Sequence, residues 1–171
     1  MNEEVDVAGD DALPEALVLT VSTRASAGVY EDRSGPVVVA ALRELGFAVG
    51  DPVVVPDGDA VGDALRGAVA ARRPLVITTG GTGLSPDDHT PEQTRTVVQR
   101  EIPALVAEIA RYGVDHGVPT ALLSRGVAGV SGQTLIVNLP GSTGGARDGM
   151  TVLAPVLPHA VAQLRGADHP R

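Results

Sequence analysis

The stretch TTGGTGLSPDDHTP, residues Thr78 to Pro91, carries the residue types from which a phosphate site is built. Three glycines within four positions, Gly80, Gly81 and Gly83, permit positive φ angles and a close backbone approach. Consecutive amides can then converge on an anion. The same glycines also suit a plain tight turn. A P-loop needs Lys after its last Gly, where Leu84 stands, and the dinucleotide fingerprint needs a third Gly where Pro86 stands. Neither of those phosphate loops is spelled here.

Two carboxylates accompany the loop. Asp57 follows the apolar run Val53-Val54-Val55, and Asp88 comes just before Thr90-Pro91. In a parallel sheet both would approach one crevice, and paired carboxylates beside phosphate suit Mg²⁺, which retains waters in its remaining positions. On pattern alone, Asp57 or Asp59 also fits a helix N-cap and Asp87 a solvated loop charge. The four His residues (His89, His116, His159, His169) form no cluster, and the absence of cysteine excludes disulfides, thiolate metal sites and cysteine nucleophiles.

These residues must be positioned by alternating strands and helices. Ala16 to Ser22 and Val53 to Val55 read as short strands, and Leu75 to Thr78 as the strand that feeds the glycine loop. Ser34-Gly35-Pro36 introduces a helix carrying Val38, Ala41, Leu42 and Leu45, stopped at Gly46. A second helix, Ala60 to Arg73, presents Val61, Leu65, Ala68 and Val69 on one stripe. Thr90 is expected to cap a third, with Pro91 in its first turn and Gln93 closing a capping box. Val127 to Val130 and Gln133 to Leu139, split by Ser131-Gly132, predict a hairpin. The last helical segment, Arg147 to Leu164, should be divided or kinked by Pro155 and Pro158. The pattern predicts an α/β fold with a mostly parallel sheet, helices on both faces and ligands at the carboxyl ends of the strands.

At 171 residues the chain suits one domain, expected over 15–165 between loose tails at 1–14 and 166–171. With one Phe, two Tyr and no Trp, the core must be aliphatic. A net charge of −8 argues against broad nucleic-acid binding, so a phosphorylated ligand must be held by local devices. The acidic start MNEEVDVAGDDA is unlike a secretory signal, and no apolar run approaches the ~20 residues of a membrane span. A cytoplasmic location is expected.

Three segments together resemble the MoaB/Mog family of molybdenum-cofactor biosynthesis, which includes the G domain of gephyrin. They are VSTRASAGVYEDRSG, Val21 to Gly35; TTGGTGLSPDDHTPE, Thr78 to Glu92; and PTALLSRGVAGVSGQTLIVNLPGS, Pro119 to Ser142. The resemblance implies a three-layer α/β/α domain with a small antiparallel excursion, assembled as a homotrimer. It implies molybdopterin and Mg-ATP as substrates, transfer of AMP to the pterin's terminal phosphate, and release of pyrophosphate. A separate metal-insertion enzyme would use the product.

By the same resemblance Asp57 and Asp88 handle Mg²⁺ and nucleotide phosphate, and the Gly80–Gly83 loop cradles phosphate, with Thr79 and Thr82 as hydroxyl donors. Ser124, Arg125, Asn138, Pro140, Gly141 and Ser142 would line the substrate pocket, Arg125 as a fork of donors and Asn138 as both donor and acceptor. On pattern alone Arg125 also reads as a surface charge and Asn138 as a turn cap. Thr23, Ala104 and the Thr143-Gly144-Gly145 loop depart from the family's usual residues, and no role is carried onto Glu101, Glu108 or Arg111. A noncatalytic molybdopterin-binding or assembly protein is the alternative; a CinA-type domain is the more distant one, disfavoured because no second domain is expected.

Overall fold

The structure is a computed structural model, described here over residues 12–166. The expected tails fall mostly outside that range. Seven strands form one mixed sheet in the order β2-β1-β4-β7-β6-β5, with the short β3 also paired to β1. They are β1 (Glu15–Val21), β2 (Ala48–Val49), β3 (Val53–Val55), β4 (Leu75–Thr79), β5 (Arg100–Glu101), β6 (Ala128–Ser131) and β7 (Thr134–Leu139). The helices are α1 (Thr23–Ser26), α2 (Ser34–Glu44), α3 (Asp59–Ala70), α4 (Thr90–Arg95), α5 (Pro103–Asp115), α6 (Thr143–Leu153) and α7 (Leu157–Leu164).

β1, β4 and β7 run parallel at the centre, and β2 and β3 extend that parallel part by pairing with opposite halves of β1. β6 and β5 supply the antiparallel excursion. Side-chain alternation divides the core into two layers. Val18 of β1, Leu75 and Ile77 of β4, and Leu135, Val137 and Leu139 of β7 pack with α2, α6 and α7. Leu19, Val21, Val76 and Ile136 point the other way, onto Val61, Leu65 and Ala68 of α3. Among the described residues Phe47 is the one buried aromatic, so the core is aliphatic as the composition requires.

Local signals explain most boundaries. α2 ends where Gly46 adopts φ +85 and the Phe47 amide donates back to the carbonyl of Leu42. Pro155 falls between α6 and α7, whereas Pro158 sits in the first turn of α7, where its missing N–H leaves no helical bond unmade. The expected capping box on α4 does not form. Thr90 is the first helical residue, its hydroxyl caps nothing, and Nε2 of Gln93 donates to Asp59 at 3.2 Å. α5 was not expected from the sequence, although Leu105, Val106 and Ile109 recur at helical spacing and contact the core.

The chain passes from β1 to its neighbours β2 and β3 on one side and then to β4 on the other. This reversal opens a crevice beyond the carboxyl ends of β1 and β4, the usual ligand position in such sheets.

Candidate functional site

The floor of the site is backbone. Gly80 and Gly81 leave β4 with φ +104 and +67, and the Gly80 amide donates to the carbonyl of Leu139 at 3.0 Å. A Cβ on Gly80 would lie 2.3 Å from the carbonyl oxygen of Val21, and one on Gly141 would lie 3.0 Å from the Cα of Gly80. The ends of β1, β4 and β7 therefore meet without side chains between them. Gly83 has no positive φ; a Cβ there would lie 2.8 Å from Oδ2 of Asp88.

Asp57 and Asp88 reach this floor from the loops after β3 and β4. Oδ1 of Asp57 accepts from the amides of Gly58 at 2.7 Å and His89 at 3.0 Å, so the carboxylate ties two loops together. It does not cap α3, whose N-cap is Gly58, and Asp87 is an exposed loop charge. Burial raises the Asp57 carboxyl above its ordinary value; the amides of His89 and Gly58 oppose this, and the neighbouring charge of Asp88 adds to it. The two carboxylates thus interact. Oδ2 of Asp88 accepts from the Ser85 amide at 3.2 Å.

Beside Gly81 and Asp57 lies Thr90, fully buried, whose Oγ1 has no hydrogen-bond partner. Leaving such a hydroxyl unpaired costs about 1–3 kcal/mol. A Cβ on Gly81 would fall 2.3 Å from both Thr90 Oγ1 and Asp57 Oδ2, so the bare glycine keeps open the place where these oxygens converge.

The residues expected to grip substrate are differently employed. Arg125 is not a free fork: Nε donates to the Gly83 carbonyl and Nη2 to the Asp88 carbonyl, each at 2.8 Å, while Nη1 pairs with Glu92. Asn138 is neither a turn cap nor free. It is 2% exposed, donates through Nδ2 to Thr78 at 2.9 Å and Thr94 at 3.0 Å, and accepts at Oδ1 from the Val127 amide at 3.0 Å. Thr79 is buried and donates to the Pro140 carbonyl, Ser124 donates to Thr82, and Ser142 caps α6 by accepting from the Gly145 amide. These side chains build the loops; what they leave for a ligand is mainly backbone.

Two cavities, about 640 and 450 Å³, share Gly81, Gly141 and Ser142 as a common border. The larger runs from Asp88 and Ser124 along an apolar wall of α5, where Val106 and Ala110 line it. The smaller lies over the end of β1, between Ser22, Tyr30, Asp32 and Arg33. The arrangement suits two ligands, or two parts of one, meeting over the glycine floor beside paired carboxylates.

Residues 17–159 match the family described as "Probable molybdopterin binding domain". The chain belongs to this family. Molybdopterin adenylyltransferase of Helicobacter pylori is 37% identical over 155 residues, covering 87% of this chain and 86% of its own length. The solved structure of the Mog protein from Mycobacterium ulcerans is 53% identical with a TM-score of 0.83, covering 88% of this chain and 98% of that one. A molybdenum cofactor biosynthesis bifunctional protein from Synechococcus elongatus is 36% identical over 167 residues, and this chain spans about half of it, 52%.

Within this molybdopterin-binding domain, three contributors to the site escaped the sequence reading. Asp32 accepts from Thr20 at 2.7 Å and from the Gly35 amide at 3.0 Å, fixing the loop over the smaller cavity. Its signal was available, since Asp three residues before Gly35 at a helix start is cap spacing. The α5 wall follows from the helical spacing of Val106 and Ala110. Asp148 of α6 also lines the larger cavity, and nothing in its local sequence marks it.

Proposed function

We propose that this chain transfers the adenylyl group of ATP to the terminal phosphate of molybdopterin, releasing pyrophosphate, as a cytoplasmic homotrimer that hands its product to a metal-insertion enzyme. The observation that carries the reading is the meeting of two cavities at Gly81, Gly141 and Ser142, with Asp88 lining the larger one and Asp57 Oδ2 lying against Gly81. The similarity to an adenylyltransferase along most of its length supports it.

An oxygen of the pterin phosphate attacks the α-phosphorus of ATP in line; the bond from that phosphorus to the bridging oxygen of pyrophosphate breaks as the new one forms. A phosphate oxygen is already anionic at neutral pH, so the chain need not supply a strong general base. Its work is to position two ligands and to exclude water. The Gly80–Gly83 backbone admits phosphate closely, and Thr79, Ser124, Arg125, Asn138, Pro140, Gly141 and Ser142 hold the surrounding loops in shape. Asp57 and Asp88 would hold Mg²⁺, which neutralises phosphate charge.

The donor set fits that cation. Oδ2 of Asp57 accepts no hydrogen bond among the described residues and the Asp88 carboxylate lies against Gly83, and one or two carboxylates with the balance from phosphate and water is the usual Mg²⁺ arrangement.

The test is incubation of the purified chain with molybdopterin, ATP and Mg²⁺, following pyrophosphate and adenylylated pterin. Tight pterin binding without product would mark a noncatalytic carrier, and absence of binding would remove both readings. Solution mass checks the trimer, which a monomer overturns.

A further inference from the structure

The two cavities differ in charge. Among the described residues that line the larger one, Asp88 and Asp148 are the only charged side chains, and both are acidic. The smaller is lined by Arg33 as well as by Asp32, and Asp32 is already held by Thr20 and the Gly35 amide. A triphosphate is therefore better matched by the smaller cavity, whereas the larger favours a group that presents hydrogen-bond donors.

Asp148 is the carboxylate left unemployed. Asp88 serves the glycine loop by accepting from the Ser85 amide, but the half-buried Asp148 has no hydrogen-bond or ion-pair partner among the described residues. It stands beyond Ser142 on α6, about 9 Å along the helix from the border that the cavities share. Val106 and Ala110 of α5 line the same cavity. An acceptor-only group in a mainly apolar wall suits the edge of a flat heterocycle.

The 2-amino-4-oxopyrimidine edge of a pterin presents two adjacent N–H donors, at N3 and at the 2-amino group, which the two oxygens of a carboxylate can accept together. Adenine presents a donor beside an acceptor at the corresponding edge, which leaves one carboxylate oxygen facing a lone pair. We propose that Asp148 is the specificity-determining residue for the pterin, accepting from N3–H and the 2-amino group, and that the larger cavity holds the pterin ring. The inference rests on the adenylyl-transfer reading given above. It puts the pterin's phosphate at the glycine end of the cavity, beside Asp88, and its ring at the Asp148 end.

The experiment uses the full chain and two fluorescent probes, pterin itself and lumazine, in which a carbonyl replaces the 2-amino group. The wild type should bind pterin about tenfold more tightly than lumazine. Asp148→Asn, whose amide offers one acceptor and one donor, should reverse that order, and Asp148→Ala should abolish it. Both variants should keep the wild-type Tm, because the carboxylate has no internal partner. With molybdopterin and ATP as substrates, Asp148→Asn should raise KM for the pterin about tenfold and leave KM for ATP within about twofold. A wild type that binds the two probes alike or not at all, or an unchanged order in both variants, overturns the inference, while turnover of molybdopterin decides the adenylyl-transfer reading separately. A raised KM for ATP alone would seat adenine against Asp148 and overturn it, and loss of the fold in both variants would do so by marking a structural carboxylate. Guanosine carries the same pair of donors and serves as the control for source: guanosine binding without pterin binding would assign the cavity to a purine nucleoside instead.

Discussion

Nε of Arg125 donates to the carbonyl oxygen of Gly83 at 2.8 Å, which makes this cation a brace for the phosphate loop. The same guanidinium reaches the carbonyl of Asp88 at 2.8 Å, and the Arg125 amide donates to the Thr82 carbonyl at 2.8 Å. Both ends of the 83–88 loop, Asp88 included, therefore hang on one residue. The hydrogen bond from Arg125 also holds the Glu92 carboxyl below its usual range.

Arg125→Lys is expected to lower kcat/KM about a hundredfold, because a point charge cannot hold three diverging acceptors and the carboxylate of Asp88 drifts. Tm should fall with it, by the equivalent of about 1–2 kcal/mol. Steady-state kinetics with thermal denaturation checks this. A raised KM for ATP at unchanged kcat and unchanged Tm would instead mark a direct phosphate ligand.

Asn138 makes the opposite kind of prediction. Asn138→Ala leaves the Val127 amide and the hydroxyls of Thr78 and Thr94 without their shared partner in a buried setting, at a cost of about 2–3 kcal/mol. Urea unfolding should show the loss, while the folded fraction keeps near-normal KM for the pterin. A large rise in that KM with stability intact would return Asn138 to the substrate.

The difference between these two residues explains what sequence could and could not convey. Apolar runs and glycine or proline punctuation gave β1, β4, the hairpin and the division between α6 and α7, because those depend on neighbours along the chain. The pairing of Asp57 with the loop of Asp88 also followed, since parallel strands bring their carboxyl ends together. Which way a polar side chain turns did not. Arg125 faces backbone acceptors 37 and 42 residues away in sequence, and Asn138 faces hydroxyls 44 and 60 residues away, contacts that no local pattern encodes. Thr90 was misjudged for the same reason: its position suits a cap, but tertiary packing seals its hydroxyl against Gly81 and Asp57.

Asp57 yields a pH dependence with a definite sign. Burial raises its carboxyl in the folded chain, with Asp88 adding and the His89 and Gly58 amides opposing. A raised folded value means that the stabilising contribution is complete below the unfolded value and is lost as pH rises through the folded one. Asp57→Asn should therefore be at least as stable as the wild type at neutral pH, with the advantage shrinking on acidification into the ordinary carboxylate range. Turnover should move the other way: in the wild type it rises with pH as Asp57 ionises, and Asp57→Asn should lack that rise, lying about a hundredfold below the wild type where Asp57 is ionised and approaching it on acidification. Denaturation curves and rates collected over one pH series test both. A variant less stable than the wild type at neutral pH would contradict the assigned shift.

Gly81→Ala separates backbone strain from blockade of the site. The new Cβ would fall 2.3 Å from Asp57 Oδ2 and from Thr90 Oγ1, and φ +67 strains any L side chain. Gly46, at φ +85 with nothing within 4 Å of its Cβ position and remote from the cavities, bears comparable strain alone. Each substitution should cost about 1–2 kcal/mol in stability from the left-handed backbone. Gly46→Ala should leave turnover within about twofold of the wild type, whereas Gly81→Ala should lose about a hundredfold and require more Mg²⁺ for half-maximal rate, because Asp57 is pushed from its place. Equal kinetic losses in the two variants would show that strain, and not the convergence of oxygens over Gly81, governs the site.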